Sequence, residues 1–284
     1  MSTMPQTPQT PHGSHRPPAT TTVVKLGGSC LDTLDDAWWD DLARLARERP
    51  LILVHGWSRL LQQLDPRHRP PSAMLRDRYG NQSRWTTPQV LDDIKTVSAA
   101  LSEEIRHKLR TRAVTTRRLL GSDGMISAGP AERLWWRDKK LVELDNLVGP
   151  PIGVNPAPLR HAQPGHIPLL TPLARNPSGQ EVNTDADRAA AAVAAAVAAT
   201  DLVLVTDVSH LMVDGRPVGR ISAKTAAVLR DTIATGGMRK KLRAADEALG
   251  RGVERVVIGN GLLSHLLTAD ADADADAGTV ITRG

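Results

Sequence analysis

Four short stretches bring together residues suited to binding and moving anionic groups. Lys25 ends an apolar segment and is followed by Leu26-Gly27-Gly28-Ser29. His55-Gly56-Trp57-Ser58 closes a second apolar segment, Asn183-Thr184-Asp185-Ala186-Asp187 closes a third, and Gly236-Gly237-Met238 leads to Lys240 and Lys241. Lysine ammonium groups, glycines that let backbone N–H groups approach oxygens, and a helix start behind them are the parts that phosphoryl transfer asks of a protein. The Lys25 stretch lacks the spacing of a P-loop. Taken singly, each stretch reads as a turn, an N-cap or a basic helix end. Together and in this order they are more specific.

Positioning them requires strands that end at the glycines and helices that begin after them. Thr21–Leu26 and Leu51–Val54 are short continuous apolar runs, as expected of parallel strands buried on both faces. Val114–Leu120, Ile167–Thr171, Leu202–Thr206 and Arg255–Gly259 read likewise, and Thr279–Thr282 reads as an edge strand. Helices are expected over Leu34–Arg47, from Pro88 to about Arg110, and over Ala189–Thr200, Ser222–Ala234 and Met238–Leu249. Pro88 suits a first helical position. The alternation of strands and helices predicts an α/β three-layer sandwich around an open, mostly parallel sheet, with ligands beyond the carboxyl ends of the strands. Residues 65–87, rich in Arg, Pro and Gly, read as a loop or hairpin excursion.

The chain has 284 residues, 40% hydrophobic and 24% charged, with a net charge of +5, six Trp and no Phe. This suits one large α/β domain or two packed lobes with an aliphatic core. The excess of 36 basic over 31 acidic residues is small, and stacking aromatics are scarce. Nucleic-acid binding is therefore disfavoured. Cys30 is the single cysteine, which rules out an intrachain disulfide and fits a reducing cytoplasm. No apolar run reaches membrane-spanning length. Residues 1–20, rich in Pro, Gln and Thr, read as a disordered extension. Ala269–Ala277, alternating Ala and Asp, reads as a solvated loop. Cys30 reads as a packing residue, and His55 as a structural hydrogen-bonding residue. Trp38-Trp39 and Trp135-Trp136 each read as one buried and one exposed ring.

The motifs VVKLGGS, LVHG, SRWT, VNTDADRAA, LVLVTDV and GGMRKKLRAADEAL resemble, in order, those of the acetylglutamate kinase branch of the amino-acid kinase family, over about residues 22–261. The resemblance implies ATP with Mg²⁺, an amino-acid substrate lobe over 21–175, a nucleotide lobe over 176–284 and a homodimer. It implies no metal held by protein ligands alone. Lys25 and Lys241 would stabilise charge on the transferring phosphoryl group, and Asp187 would orient them. Gly27, Gly28 and Gly56 would supply backbone contacts, the first two at the nucleotide, and Gly56, Trp57 and Ser58 would border the substrate. Arg84 would grip its α-carboxylate and Asn183 would help hold it, while Thr206 and Asp207 would lie at the nucleotide.

Within the branch, Ser58, the NTDAD order and the Leu120–Gly124 turn resemble the type that acts on aminoadipate or glutamate attached to a small acidic carrier protein. Arg67, His68, Arg69, Arg76 and Arg78 offer a basic face for such a partner. Free N-acetylglutamate is the alternative substrate. Trp57 stands where the family has Gly. A position needing positive φ would strain it, which motivates a second reading as a nucleotide-binding regulator without turnover.

Overall fold

The computed structural model describes residues 20–268 and 278–284, apart from residues 72, 78–80, 132 and 138–139. The expected extension over 1–20, save residue 20, the alanine–aspartate run and Arg78 lie outside the described residues. The central sheet has eight strands: β1 (Thr22–Leu26), β2 (Leu51–His55), β3 (Thr115–Leu120), β4 (His166–Thr171), β5 (Asp201–Val205), β6 (Arg220–Ser222), β7 (Arg255–Gly259) and β8 (Thr279–Thr282). Their order is β6-β8-β7-β5-β1-β2-β4-β3, and all neighbours run parallel except β7 and β8. The first four strands in sequence thus form one half of the sheet and the last four the other, joined where β1 pairs with β5 from Thr22↔Asp201 to Leu26↔Val205.

The strands are apolar at consecutive positions because both faces are covered. Val23, Ile52, Val54, Leu202, Leu204, Val256 and Ile258 enter one core. Val24, Leu51, Leu53, Val203, Val205 and Val257 enter the other. Helices α1 (Asp36–Glu48), α2 (Ser58–Leu64), α3 (Pro88–Arg110), α4 (Ala186–Ala196), α5 (Ala223–Thr232), α6 (Gly236–Gly250) and α7 (Leu263–Thr268) complete the sandwich. α4, α5 and α6 contribute to the first core, and α1, α3 and α7 to the second. Their starts follow from side-chain caps. Asp35 accepts the Trp38 N–H, Thr87 the Val90 N–H, and Asp185 the N–H groups of Asp187 and Arg188.

Three expectations need correction. The helix expected over Ala189–Thr200 is Ala186–Ala196, because Asp185 caps it early and Ala198, at φ 51°, turns the chain out before β5. The strand Thr279–Thr282 is not at the edge: it lies between β6 and β7. Trp38 and Trp39 are both buried, packed edge to face at 5.2 Å, and Trp38 Nε1 donates to the Gly261 carbonyl. Successive helix positions can both face inward where α1 is covered by neighbours on two sides. Trp135 and Trp136 divide as expected, one buried and the other 51% exposed. The 65–87 excursion forms a hairpin, Met74–Asp77 with Gln82–Arg84, extended by the strands Leu134–Arg137 and Lys140–Glu143 into a four-stranded sheet.

Candidate active site

A cleft of about 1390 Å³ opens beyond the carboxyl ends of β1 and β2. Its floor is two crossing turns. Gly56 N–H donates to the Leu26 carbonyl at 2.9 Å, and Gly27 N–H to the Val205 carbonyl at 3.1 Å. A Cβ on Gly28 would lie 2.7 Å from Ser58 N and 2.9 Å from Trp57 N, and one on Gly56 would lie 3.1 Å from Gly28 N. The glycines are therefore required by the close approach of the turns to one another.

Lys25 on β1, Asp187 in the first turn of α4 and Lys241 on α6 meet in this cleft. Lys25 Nζ is 2.7 Å from Asp187 Oδ1, and Lys241 Nζ is 3.3 Å from Oδ2. All three are buried. Burial alone would push the Asp187 carboxyl up, but the two ammonium groups hold it well below the usual carboxylate range. Burial pulls the Lys241 ammonium down, and Asp187 more than reverses this, so its pKa is raised. At neutral pH Asp187 is thus a carboxylate and Lys241 an ammonium, with Lys25 on the other carboxylate oxygen.

The positive end of α6 adds to this field. Thr235 precedes it without a side-chain cap, Gly236 sits at φ 53°, and a Cβ on Gly237 would meet nothing within 4 Å. Gly236, Gly237, Arg239 and Lys240 line the cleft here. Uncapped N–H groups of a 15-residue helix facing open space make a site for an anion.

On the other side, Arg84 stands on the hairpin wall. Its Nη1 donates to the His68 carbonyl at 3.0 Å, and among the described residues no carboxylate pairs with it. Burial pulls its pKa down, yet a guanidinium stays charged near neutrality. A buried, unpaired cation at a cleft wall suits a carboxylate. Asn183 also lines the cleft. Its Nδ2 donates to Thr86 Oγ1 at 3.2 Å, and its Oδ1 is buried without a partner.

Trp57 has φ −135°, so the backbone there is not in the left-handed region. It precedes α2 and packs with Leu61, Leu91, Ile94, Val97 and Leu173. Its indole fills a core beside the cleft, and Ser58 opens α2 at the rim. Thr206 and Asp207 follow β5 and share a hydrogen bond at 3.1 Å, but neither lines the cleft. Cys30 is buried, its thiol donating to the Gly27 and Val205 carbonyls, and burial pushes its pKa up. His55 is buried, with Nε2 between Ser102 and Thr171. Asp185, Lys240, Arg188 and Glu247 also meet beside the cluster. No spacing pattern links Glu247 to Arg188, 59 residues earlier.

Among the described residues no group of three or more His, Cys, Asp or Glu gathers to hold a metal ion, and both Asp187 oxygens are engaged by lysines. The described residues therefore present no cage of their own for Mg²⁺, an ion that binds nucleotides largely through their phosphates and water.

This fold and cleft define the class. A sequence model of the amino acid kinase family matches residues 20–260, and the chain belongs to that family. It is 30% identical over 251 residues to the acetylglutamate kinase of Geobacillus thermodenitrificans, covering 85% of this chain and 90% of that protein. It is 33% identical over 266 residues to a Pyrobaculum calidifontis protein provisionally named a LysW-aminoadipate/LysW-glutamate kinase, covering 92% and 98%. Among solved structures, a Streptococcus mutans protein superposes with a TM-score of 0.74 at 24% identity, covering 93% of this chain and 99% of that one. A Giardia carbamate kinase superposes at 0.64 and 14% identity, covering 94% and 99%. These two likenesses concern the fold. No helix among the described residues is long and apolar enough to cross a membrane.

Proposed function

We propose that this protein is an ATP-dependent kinase that phosphorylates the side-chain carboxylate of an amino-acid derivative, with glutamate or aminoadipate on a small acidic carrier protein as its substrate. The observation that carries the reading is the buried Lys25–Asp187–Lys241 cluster between an uncapped helix start and an unpaired arginine. The nucleotide phosphates lie toward α6, with Gly27 and Gly28 at the floor. The substrate's α-carboxylate lies on Arg84, with Asn183 beside it. A carboxylate oxygen attacks the γ-phosphorus in line, the bond to the β,γ-bridging oxygen breaks, and ADP leaves with that electron pair. No general base is needed, since the nucleophile is already ionised at neutral pH. The two lysines stabilise charge on the transferring group, and Asp187 holds their ammonium groups in place.

The carrier form of the substrate rests on Ser58, the NTDAD order and the exposed Arg76 that lines the cleft. Of the other basic residues expected on that face, Arg67 pairs with Asp65 at 2.8 Å and His68 is buried against Asp93. The negative φ of Trp57 removes the strain that motivated a non-catalytic reading. Free N-acetylglutamate is the second candidate, favoured by the name of the Geobacillus relative.

Hydroxylamine trapping of the acyl phosphate decides between them. Turnover of carrier-linked glutamate or aminoadipate, absent with free N-acetylglutamate and lost by a factor of about 10² or more in Lys241→Ala, is the expected result. Hydroxamate from free N-acetylglutamate alone moves the assignment to the second candidate. None from any carboxylate, with ATP still bound, defeats the kinase reading.

A further inference from the structure

Lys241 and Asp187 sit on different helices, so the geometry of the cluster depends on the register between α4 and α6. The buried faces of these helices are mostly alanine: Ala189, Ala190, Ala191 and Ala194 on α4, and Ala244, Ala245 and Ala248 on α6, enter one core. Alanines let helices approach closely, but methyl groups interdigitate little and resist sliding weakly. Val193 on α4 and Leu242 and Leu249 on α6 share this core, and polar contacts between the helices add direction to the register. Three ion pairs run side by side between the helices. Asp185 meets Lys240 at 3.3 Å, Asp187 meets Lys241 at 3.3 Å, and Arg188 meets Glu247 at 2.7 Å. The third is the tightest. Arg188 donates through Nε to both Glu247 oxygens, at 2.8 and 3.0 Å, and its Nη2 approaches Oε1. Both side chains are less than one-fifth exposed.

We propose that Arg188 and Glu247 are positioning residues that pin α4 against α6 and so set the place of Lys241 relative to Asp187 and Lys25. This rests on the kinase reading above. Arg188 directly follows Asp187 in the first turn of α4, and Glu247 lies six residues after Lys241 on α6. A planar, forked guanidinium on a carboxylate fixes direction as well as distance, which a lysine in its place does not. Glu247 also accepts from Arg243 at 3.4 Å, so removing Arg188 leaves it with a cationic partner.

The test is steady-state kinetics of Arg188→Gln, Arg188→Lys and the exchange Arg188→Glu with Glu247→Arg, each with its melting temperature. For Arg188→Gln, kcat falls about tenfold or more, as displacements near 1 Å do at a phosphoryl centre. KM for ATP and for the carboxylate stays within twofold, measured well below the melting temperature. Arg188→Lys recovers only part of kcat, and the exchanged pair recovers more than either single substitution. A rise in KM for ATP at constant kcat would overturn the proposal by placing Arg188 on the nucleotide. Unchanged kcat with a lowered melting temperature would overturn it by leaving the pair a purely stabilising role. If Arg188→Gln does not fold, Glu247→Gln takes its place with the same two outcomes. A wild-type enzyme that turns over no carboxylate fails the kinase reading instead, and is seen before any variant is compared.

Discussion

Asp187 is shared between two ammonium groups, and the balance of effects on it decides how the cluster behaves with pH. Desolvation favours its neutral form, while Lys25 and Lys241 favour its charged form and prevail. His55, at the end of β2, shows the opposite balance. Burial lowers its pKa to about 4, and no carboxylate offsets this. It is therefore neutral at pH 7, accepting or donating at Nε2 to Ser102 and Thr171, and is no base for the reaction. The shift makes a stability prediction. In the unfolded chain His55 titrates near 6.5, so between about pH 6.5 and 4 the unfolded state holds a proton that the folded state does not. Stability then falls as pH is lowered through that window, by about 3 kcal/mol, and this contribution stops changing below it. Urea unfolding of wild type and His55→Asn at pH 7, 5.5 and 4.5 checks this. The variant is expected to lose that part of the slope. Equal slopes in both would assign the acid sensitivity to other groups.

At the level of elements, the site is a crossing of two strand-to-helix turns with a third helix start brought against it. Much of this was legible in the sequence. Lys25 before Gly27-Gly28 and His55 before Gly56 mark strand ends, because a buried parallel strand reads as an unbroken apolar run and glycine follows where backbones cross. Asp187 after Asp185 reads as the first turn of a capped helix. The chemistry at Trp57 was legible only in part. Its type, where the family has Gly, suggested a strained backbone, but φ and the identity of its neighbours are set by α3 and by Leu173, far away in sequence. The Arg188–Glu247 contact was not legible, since it depends on how α4 and α6 are rotated about their axes. Trp57→Gly accordingly does not restore a better active site. It removes a buried indole from the cluster with Leu61, Leu91, Ile94 and Val97 and is expected to cost about 3–5 kcal/mol of stability. Chemical denaturation measures the loss, and a change within about 1 kcal/mol would show that the indole is not part of this core.

The whole molecule divides at the β1–β5 seam. Strands from the first part of the chain lie on one side and carry the hairpin wall with Arg84. Strands from the second part lie on the other and carry α6 with its uncapped start. Lys25, from the seam strand β1, crosses to Asp187. This arrangement leads us to expect that the two substrates are bound by separate halves and meet at the cluster. Arg84 tests the division because its guanidinium is tied to the fold through a bond to the His68 carbonyl and has no carboxylate partner among the described residues. Its replacement by Gln leaves no buried acid behind. If the substrate's α-carboxylate sits there, losing a charge-assisted hydrogen bond of about 1.5–3 kcal/mol raises KM for the carboxylate by about 10- to 10²-fold. If the nucleotide is held mainly by α6, on the other side of the seam, KM for ATP stays within twofold. A comparable rise in both constants would mean that the hairpin wall and α6 move as one unit, and that binding on one side prepares the other.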